Sequence, residues 1–133
     1  MSKVRILLAD DHPDLLEMVE HHLESEFDVV GKVVDGQALF EEALRLRPDV
    51  IVTDISMPIL NGIVAADRLK ESGCKSRIVF LTIHRDAELA HACLATGALG
   101  YVVKTQIVSD LLLAIREALV GHVFISEDLR YVN

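Results

Sequence analysis

Basic residues are scarce in this chain relative to acidic ones. It has 13 lysines and arginines against 21 aspartates and glutamates, which gives a formal net charge of -8. Electrostatic binding of nucleic acid or of an anionic membrane depends on an excess of Lys and Arg. We therefore predict that this chain alone binds neither DNA nor a membrane. The acidic balance leaves room for a carboxylate cluster that holds a metal ion.

Cysteines and long apolar runs are scarce as well. Cys74 and Cys93 lie far apart with no CxxC spacing, which predicts reduced thiols in a core rather than a disulfide framework. No stretch approaches about 18 apolar residues, and the start MSKVRILL lacks the long apolar region of a signal peptide. These features predict a soluble, cytoplasmic protein.

Short apolar runs alternate with helical patterns along the chain. Its 133 residues, of which 51% are hydrophobic, suit one domain. Strands are predicted at residues 4–9, 27–34, 49–54, 77–82 and 99–103. Helices are predicted at residues 13–26, 36–48, 62–73, 86–97 and 109–121, the last beginning at Ser109 or Asp110. The alternation predicts an α/β fold, a three-layer sandwich around a parallel sheet.

The helical period is lost after Gly121. We therefore expect the domain to cover residues 1–120, with residues 121–133 as a tail or as the start of a linker.

Polar residues follow four of the five predicted strands. Asp10 and Asp11 follow the first strand, Asp54 ends the third, Thr82 ends the fourth and Lys104 follows the fifth. Ligands of open parallel sheets bind at the carboxyl ends of the strands, so these side chains are expected to share one site.

The grouped side chains favour phosphoryl transfer. Carboxylates about 5 Å apart repel by roughly 3 kcal/mol per pair at an effective dielectric of about 20, and a divalent cation relieves this repulsion. Oxygen ligands favour Mg²⁺ as that cation. Lys104 and Thr82 can hold the remaining oxygens of a phosphoryl group. Asp54 lies alone at the end of its strand, so we predict that it is the covalent acceptor.

Four motifs, LLADDHP, VTDISMPILNG, LTIHRD and GYVVK, resemble the receiver domain of two-component response regulators. The amino-acid sequences of these motifs are similar to those of the NarL/FixJ (LuxR-type) subfamily. The resemblance covers Val4 to about Val120. It implies a flavodoxin-like (βα)5 fold with strand order 2-1-3-4-5. It also implies a signalling switch, not an enzyme beyond its own phosphorylation and dephosphorylation, which accepts a phosphoryl group from a sensor histidine kinase or a small donor.

The resemblance also implies a role for each site residue. Asp54 would be the phosphoacceptor, and Mg²⁺ would be held by Asp11, Asp54, the backbone carbonyl of Ser56 and, through water, Asp10. Thr82, Tyr101 and Lys104 would be the switch hydroxyl, the switch aromatic and the phosphate-binding lysine. Phosphorylation is expected to draw Thr82 toward the phosphoryl group and to let Tyr101 turn inward.

Two positions depart from the pattern of many receivers. Thr105 follows Lys104 where a cis-proline is common, and a cis bond before a non-proline residue costs about 2.5–4 kcal/mol, so we expect a trans bond. Ile83 is larger than the small residue common after the switch hydroxyl. We expect Ile83 to restrict access to Asp54, while the small Ser56 tolerates a water there.

Other interpretations stay open at this point. The stretch EALVGHVFISEDL resembles the connection to a helix-turn-helix output domain, which would bind DNA, but a stand-alone receiver is an alternative. A haloacid-dehalogenase-like phosphatase also combines Asp, Thr and Lys with Mg²⁺, although it needs its nucleophile on the first strand in a DxD spacing. The apolar stretch SDLLLAIREALV indicates a homodimer through the face of helix four, strand five and helix five. His12 is either a loop residue or a ligand.

Overall fold

The fold is a three-layer α/β sandwich, seen in a computed structural model that describes residues 3–126. All neighbouring strands pair in parallel, in the order β2-β1-β3-β4-β5-β6. The strands are β1 Arg5–Ala9, β2 Asp28–Val33, β3 Val50–Thr53, β4 Arg77–Thr82, β5 Gly100–Val103 and β6 Phe124–Ile125. The helices are α1 Pro13–Leu23, α2 Gly36–Leu46, α3 Gly62–Glu71, α4 Ala87–Ala95 and α5 Leu112–Leu119. The predicted fold and the order of the first five strands are confirmed.

Helices cover both faces of the sheet. Ile6 and Leu8 of β1 pack in the core beneath α1 and α5, whereas Leu7 and Ala9 pack in the core beneath α2 and α3. Burial on both faces explains why the strands are continuous apolar runs rather than alternating ones. The polar residues that end these strands are therefore confined to the edge of the sheet.

The start of α5 differs from the prediction. Ser109 and Asp110 do not cap the helix, because helical backbone already begins with a 3-10 turn at Lys104–Gln106 and a π-helical turn at Ile107–Leu111. The carboxylate of Asp110 is instead buried and bonded to Ser126, so a tertiary contact replaces the cap. The Lys104–Thr105 peptide bond is trans, as expected.

Strand β6 was not predicted. The Phe124 amide donates to the Leu99 carbonyl at 2.8 Å, and the Ser126 amide donates to the Tyr101 carbonyl at 2.9 Å. The predicted boundary at residue 120 thus falls before two residues that pair with β5. Residues 127–133, the rest of the predicted tail, lie outside the described residues.

Both cysteines are free thiols, as predicted. Cys93 is fully buried in α4, and burial raises the pKa of its thiol to about 12. The thiol is therefore protonated and inert at neutral pH. Within residues 3–126, none of the helices combines the length and the apolarity needed to cross a membrane.

Candidate functional site

The sheet register brings two buried aspartates to one edge. Ala9 of β1 pairs with Thr53 of β3, so the next residue of each chain segment, Asp10 and Asp54, leaves the sheet at the same level. The Asp54 amide donates to the Ala9 carbonyl at 2.9 Å, and the Asp10 amide donates to the Val33 carbonyl at 3.0 Å. Only 3% of Asp10 and 5% of Asp54 are exposed, so both carboxylates are fixed by the strands that carry them.

Lys104 joins these two carboxylates. Its Nζ lies 2.7 Å from Oδ2 of Asp10 and 2.9 Å from Oδ2 of Asp54. Burial alone lowers the pKa of the Lys104 ammonium, but its close contacts with the carboxylates of Asp10 and Asp54 outweigh burial, and the net pKa is raised. The ammonium therefore stays charged and is held directly beside the predicted acceptor.

The loop after β3 orients the other oxygen of Asp54. Oδ1 accepts the backbone N–H of Ile55 at 2.7 Å. A Cβ atom at Gly62 would lie 2.1 Å from the Asp54 carbonyl, so only glycine allows α3 to start this close to the acceptor. Gly62 therefore shapes the loop that holds Asp54.

The edge of the sheet also gathers the oxygens that a metal needs. One ligand atom from each of Asp10, Asp11, His12 and Asp54 lies within 4.8 Å of the others. Oδ1 of Asp11 is buried without a hydrogen bond, and Oδ2 of Asp10 is close to Lys104 without hydrogen-bond geometry. Three carboxylates face one ammonium, which leaves two negative charges in excess. Hard oxygen donors with that excess fit a divalent cation such as Mg²⁺.

His12 lies beside this cluster at the start of α1. Its Nδ1 lies 2.9 Å from Oδ1 of Asp10 and 3.1 Å from Oδ1 of Asp11. The pKa of His12 is raised by the hydrogen bond with Asp10 and then by the charge of Asp11. The ring is exposed, and both interpretations of His12, a loop residue or a ligand, stay predictions.

The predicted switch residues meet at the backbone of His84. The fully buried Thr82 accepts the His84 N–H on Oγ1 at 3.2 Å, and the Tyr101 hydroxyl donates to the His84 carbonyl at 2.8 Å. Burial raises the pKa of Tyr101 above its usual range, so the hydroxyl remains a donor. Tyr101 is thus inward in this structure, and its turn on phosphorylation stays a prediction. His84 was missed, although its position two residues after Thr82 was the available signal.

The two predicted access residues are at the surface. Ile83 is 69% exposed beside the buried Thr82. Ser56 is exposed, and its Oγ lies 3.5 Å from Nε2 of His84. The role of the Ser56 carbonyl as a metal ligand and the role of Ile83 in access stay predictions.

The predicted dimer face is less apolar than expected. Leu111 and Ile115 are fully buried, and Leu113 is 43% exposed. The irregular start of α5 explains the difference, because the helical phase inferred from a start at Ser109 or Asp110 does not apply across the π-helical turn. Strand β6 also covers the edge of β5 that this face would include.

Known proteins match most of this chain in sequence. Residues 6–116 match the family described as the response regulator receiver domain. The nitrate/nitrite response regulator protein NarL of Escherichia coli K12 is 36% identical over 93% of this chain and 58% of its own length. The oxygen regulatory protein NreC of Staphylococcus epidermidis is 32% identical over 95% of this chain and 59% of its own length. The chain thus spans about three fifths of these relatives.

Solved structures agree with the sequence match. A LuxR-family two-component response regulator from Aurantimonas superposes with a TM-score of 0.91 at 30% identity, over 96% of this chain and 93% of that one. The isolated receiver domain of RcsB from Salmonella enterica serovar Typhimurium was solved with the phosphomimetic BeF3⁻. It superposes with a TM-score of 0.87 at 28% identity, over 96% of each chain. From its sheet order, its acidic edge and these matches, the chain belongs to the response regulator receiver domain family, with NarL-type regulators among its relatives.

Proposed function

We propose that this chain is a switch that accepts a phosphoryl group on Asp54 in a Mg²⁺-dependent reaction. The observation that carries the proposal is the position of Asp54, which is buried at the end of β3, bonded to Lys104 at 2.9 Å and grouped with Asp10 and Asp11. A buried carboxylate held beside a fixed ammonium is a suitable oxygen nucleophile for phosphoryl transfer. The family match favours this switch over the haloacid-dehalogenase-like phosphatase.

The reaction moves one phosphoryl group from the donor to Asp54. An oxygen of Asp54 attacks the phosphorus of a phosphohistidine on a sensor kinase, or of acetyl phosphate, and the bond between phosphorus and the donor breaks. The donor leaves with the electron pair, and the imidazole nitrogen of a phosphohistidine takes up a proton. The Lys104 ammonium can then bind the phosphoryl oxygens. The Thr82 hydroxyl, whose oxygen accepts the His84 N–H, can donate its own hydrogen to the same group.

Asp11, Asp54, the Ser56 carbonyl and, through water, Asp10 would hold the metal. When bound, Mg²⁺ supplies charge neutralisation and orients phosphoryl oxygens. The excess negative charge and the two buried oxygens without hydrogen bonds, on Asp10 and Asp11, support this role.

The chain would serve a longer regulator. Since it spans 58% of NarL, we propose that it is the receiver part of a DNA-binding transcriptional regulator in the cytoplasm, rather than a stand-alone receiver. DNA contact would come only from an output domain. A solved structure of RcsB contains dimers bound to DNA, and we propose that this chain also forms a homodimer, with the face of α4, β5 and α5 as the first candidate surface.

Intact mass spectrometry after incubation with acetyl phosphate tests the proposal. The chain is expected to gain one phosphoryl mass with Mg²⁺ and none with EDTA. A chain that stays unlabelled under both conditions, and with a histidine kinase of a NarL-type system as donor, would contradict the proposed function.

Asp11→Asn is expected to remove most Mg²⁺ binding while the domain stays folded. The substitution removes one of the three clustered charges, so it weakens cation binding and also relieves repulsion in the metal-free protein. Isothermal calorimetry should show an affinity at least about tenfold lower, since even the loss of an outer-shell partner commonly has an effect of that size. Urea unfolding should show no loss of stability. Asp14→Asn, one turn further along α1, serves as the control; equal Mg²⁺ affinity in both variants would refute the assignment of Asp11.

Ile83→Ala is expected to speed both labelling by acetyl phosphate and loss of the label. Hydrolysis needs a water in line with the phosphorus, and no general base is evident, so access controls its rate. Ile83 is exposed beside Thr82, so its truncation opens the rim with little effect on stability. The half-life of the phosphorylated form, at equal Mg²⁺, measures the effect, and Val108→Ala, also strongly exposed, is the control. A half-life equal to or longer than that of the parent would leave Ser56 as the residue to examine.

A further inference from the structure

Ser126 is a fully buried polar residue at the end of the described chain. Its backbone N–H donates to the Tyr101 carbonyl at 2.9 Å, and its Oγ accepts the Val103 N–H at 3.0 Å. The same Oγ donates to Oδ2 of Asp110 at 2.9 Å. Ser126 thus binds β5 at two positions and the start of α5 at a third.

The Asp110 carboxylate, to which Ser126 donates, lies in the π-helical turn that directly precedes α5. Asp110 is 9% exposed within the π-helical turn, and its Oδ1 accepts the Ser109 hydroxyl at 3.0 Å. A buried carboxylate in such a turn is costly unless its oxygens are bonded. The pair of Ser126 and Asp110 therefore fixes the geometry of the segment that immediately follows β5.

Strand β5 and the segment that follows it carry two residues of the phosphorylation site, Tyr101 and Lys104. Val103, whose amide is bound by Ser126, directly precedes Lys104, and Lys104 reaches Asp10 and Asp54. Tyr101, whose carbonyl is bound by the Ser126 amide, reaches the His84 backbone on the other side. The hydrogen bond between Ser126 and the Val103 amide is therefore one residue away from Lys104, whose ammonium contacts the acceptor.

We propose that Ser126 and Asp110 are positioning residues for Lys104, and that pairing of β6 with β5 is coupled to phosphorylation of Asp54. The proposal rests on the proposed function. With β6 paired, Tyr101 is inward and Lys104 is bonded to Asp54, so this arrangement should bind a phosphoryl group better than one with β6 released. Coupling between two sites is reciprocal, so a phosphoryl group should in turn hold β6 more firmly.

Amide hydrogen exchange on the unaltered chain gives the first test. Beryllofluoride with Mg²⁺, a phosphoryl mimic, is expected to slow exchange of the Phe124 and Ser126 amides at least about fivefold, the lower end of typical coupling. Exchange that is unchanged while beryllofluoride is bound overturns the inference, even where no variant folds.

Ser126→Ala gives the second test. The variant leaves the Val103 N–H and Oδ2 of Asp110 without the Ser126 hydroxyl. It is expected to bind beryllofluoride at least about fivefold more weakly. Ser109→Ala removes the other bond to Asp110 without touching β5, and it should bind as the parent does. Thr96→Ala removes a buried hydroxyl that donates to the Cys93 carbonyl at 2.6 Å, so it controls for loss of stability alone.

The outcomes separate the two proposals. Weakened binding in Ser126→Ala with parent-like binding in Thr96→Ala supports the positioning role. Equal weakening in both variants, or parent-like binding in a folded Ser126→Ala, refutes it. A parent chain that neither gains a phosphoryl mass nor binds beryllofluoride overturns the proposed function itself, whereas normal labelling with unchanged exchange at Phe124 and Ser126 overturns only the coupling.

Discussion

Asp54→Asn is expected to gain no phosphoryl mass from acetyl phosphate and Mg²⁺ under conditions that label the parent chain completely. The amide side chain keeps the shape of the carboxylate, and its oxygen can still accept the Ile55 N–H that Oδ1 accepts now at 2.7 Å. The fold should therefore be retained. An amide is not a competent oxygen nucleophile for this transfer, so the loss of labelling should be complete.

Asp35→Asn is the matched control for that substitution. Asp35 accepts the Ala38 N–H at 2.7 Å as the N-cap of α2, and asparagine caps helices equally well. This variant should label as the parent does. A phosphoryl group found on Asp54→Asn, at a rate near that of the parent, would place the acceptor elsewhere, and peptide mapping would then have to examine Asp10 and Asp11 first.

Lys104→Met is expected to abolish efficient labelling and to lower the free energy of unfolding by about 3–5 kcal/mol. Loss of one partner from a buried ion pair leaves its counter-charges without compensation, and here two buried carboxylates, Asp10 and Asp54, lose the same ammonium. Mg²⁺ should restore part of the stability, since it binds the charges that are set free. Urea unfolding with and without Mg²⁺ measures both effects.

A surface lysine provides the control for Lys104. Lys32 pairs with Glu20 across exposed side chains, and Lys32→Met should cost less than about 1 kcal/mol. Equal losses of stability in the two variants would show that Lys104 is not held in a buried network.

The raised pKa of Lys104 gives a matching pH dependence. Its stabilising contribution is fully present below 10.5, the usual lysine pKa, and it is lost as the pH rises through the higher pKa of the folded state. Lys104→Met should lack this part of the alkaline loss of stability. Unfolding titrations above pH 10 on both proteins measure the difference, and identical alkaline slopes would contradict it.

The carboxyl ends of the strands could be predicted because helices cover both faces of the parallel sheet. Almost every residue of such a strand must then be apolar. Ile6 and Leu7 are buried on opposite faces, so the apolar run must continue until the sheet ends, and the first charged residue marks its edge. That rule placed Asp10, Asp54 and Lys104 together from the sequence alone. The parallel register then set the level at which each side chain leaves the sheet.

The features that could not be predicted depend on contacts distant in sequence. Strand β6 is two residues long, too short for any periodic signal, and it exists because Phe124 and Ser126 find backbone partners in or next to β5. The predicted start of α5 was wrong because an aspartate can either cap a helix or accept a buried tertiary hydrogen bond, and Asp110 does the second. The inward position of Tyr101 depends on the His84 carbonyl, whose location no local pattern gives.

The position of β6 has a consequence for how the domain forms during synthesis. Strand β5 pairs with β4 as soon as both are available, but its other edge stays open until Phe124 and Ile125 have left the ribosome. At about 5–20 residues per second, the nascent chain presents that unpaired edge for one to several seconds. An open strand edge is a template for pairing with other chains. The outer edge of β5, next to Lys104, is thus the last strand edge of the sheet to find its partner, and it is open to pairing with other chains until β6 emerges.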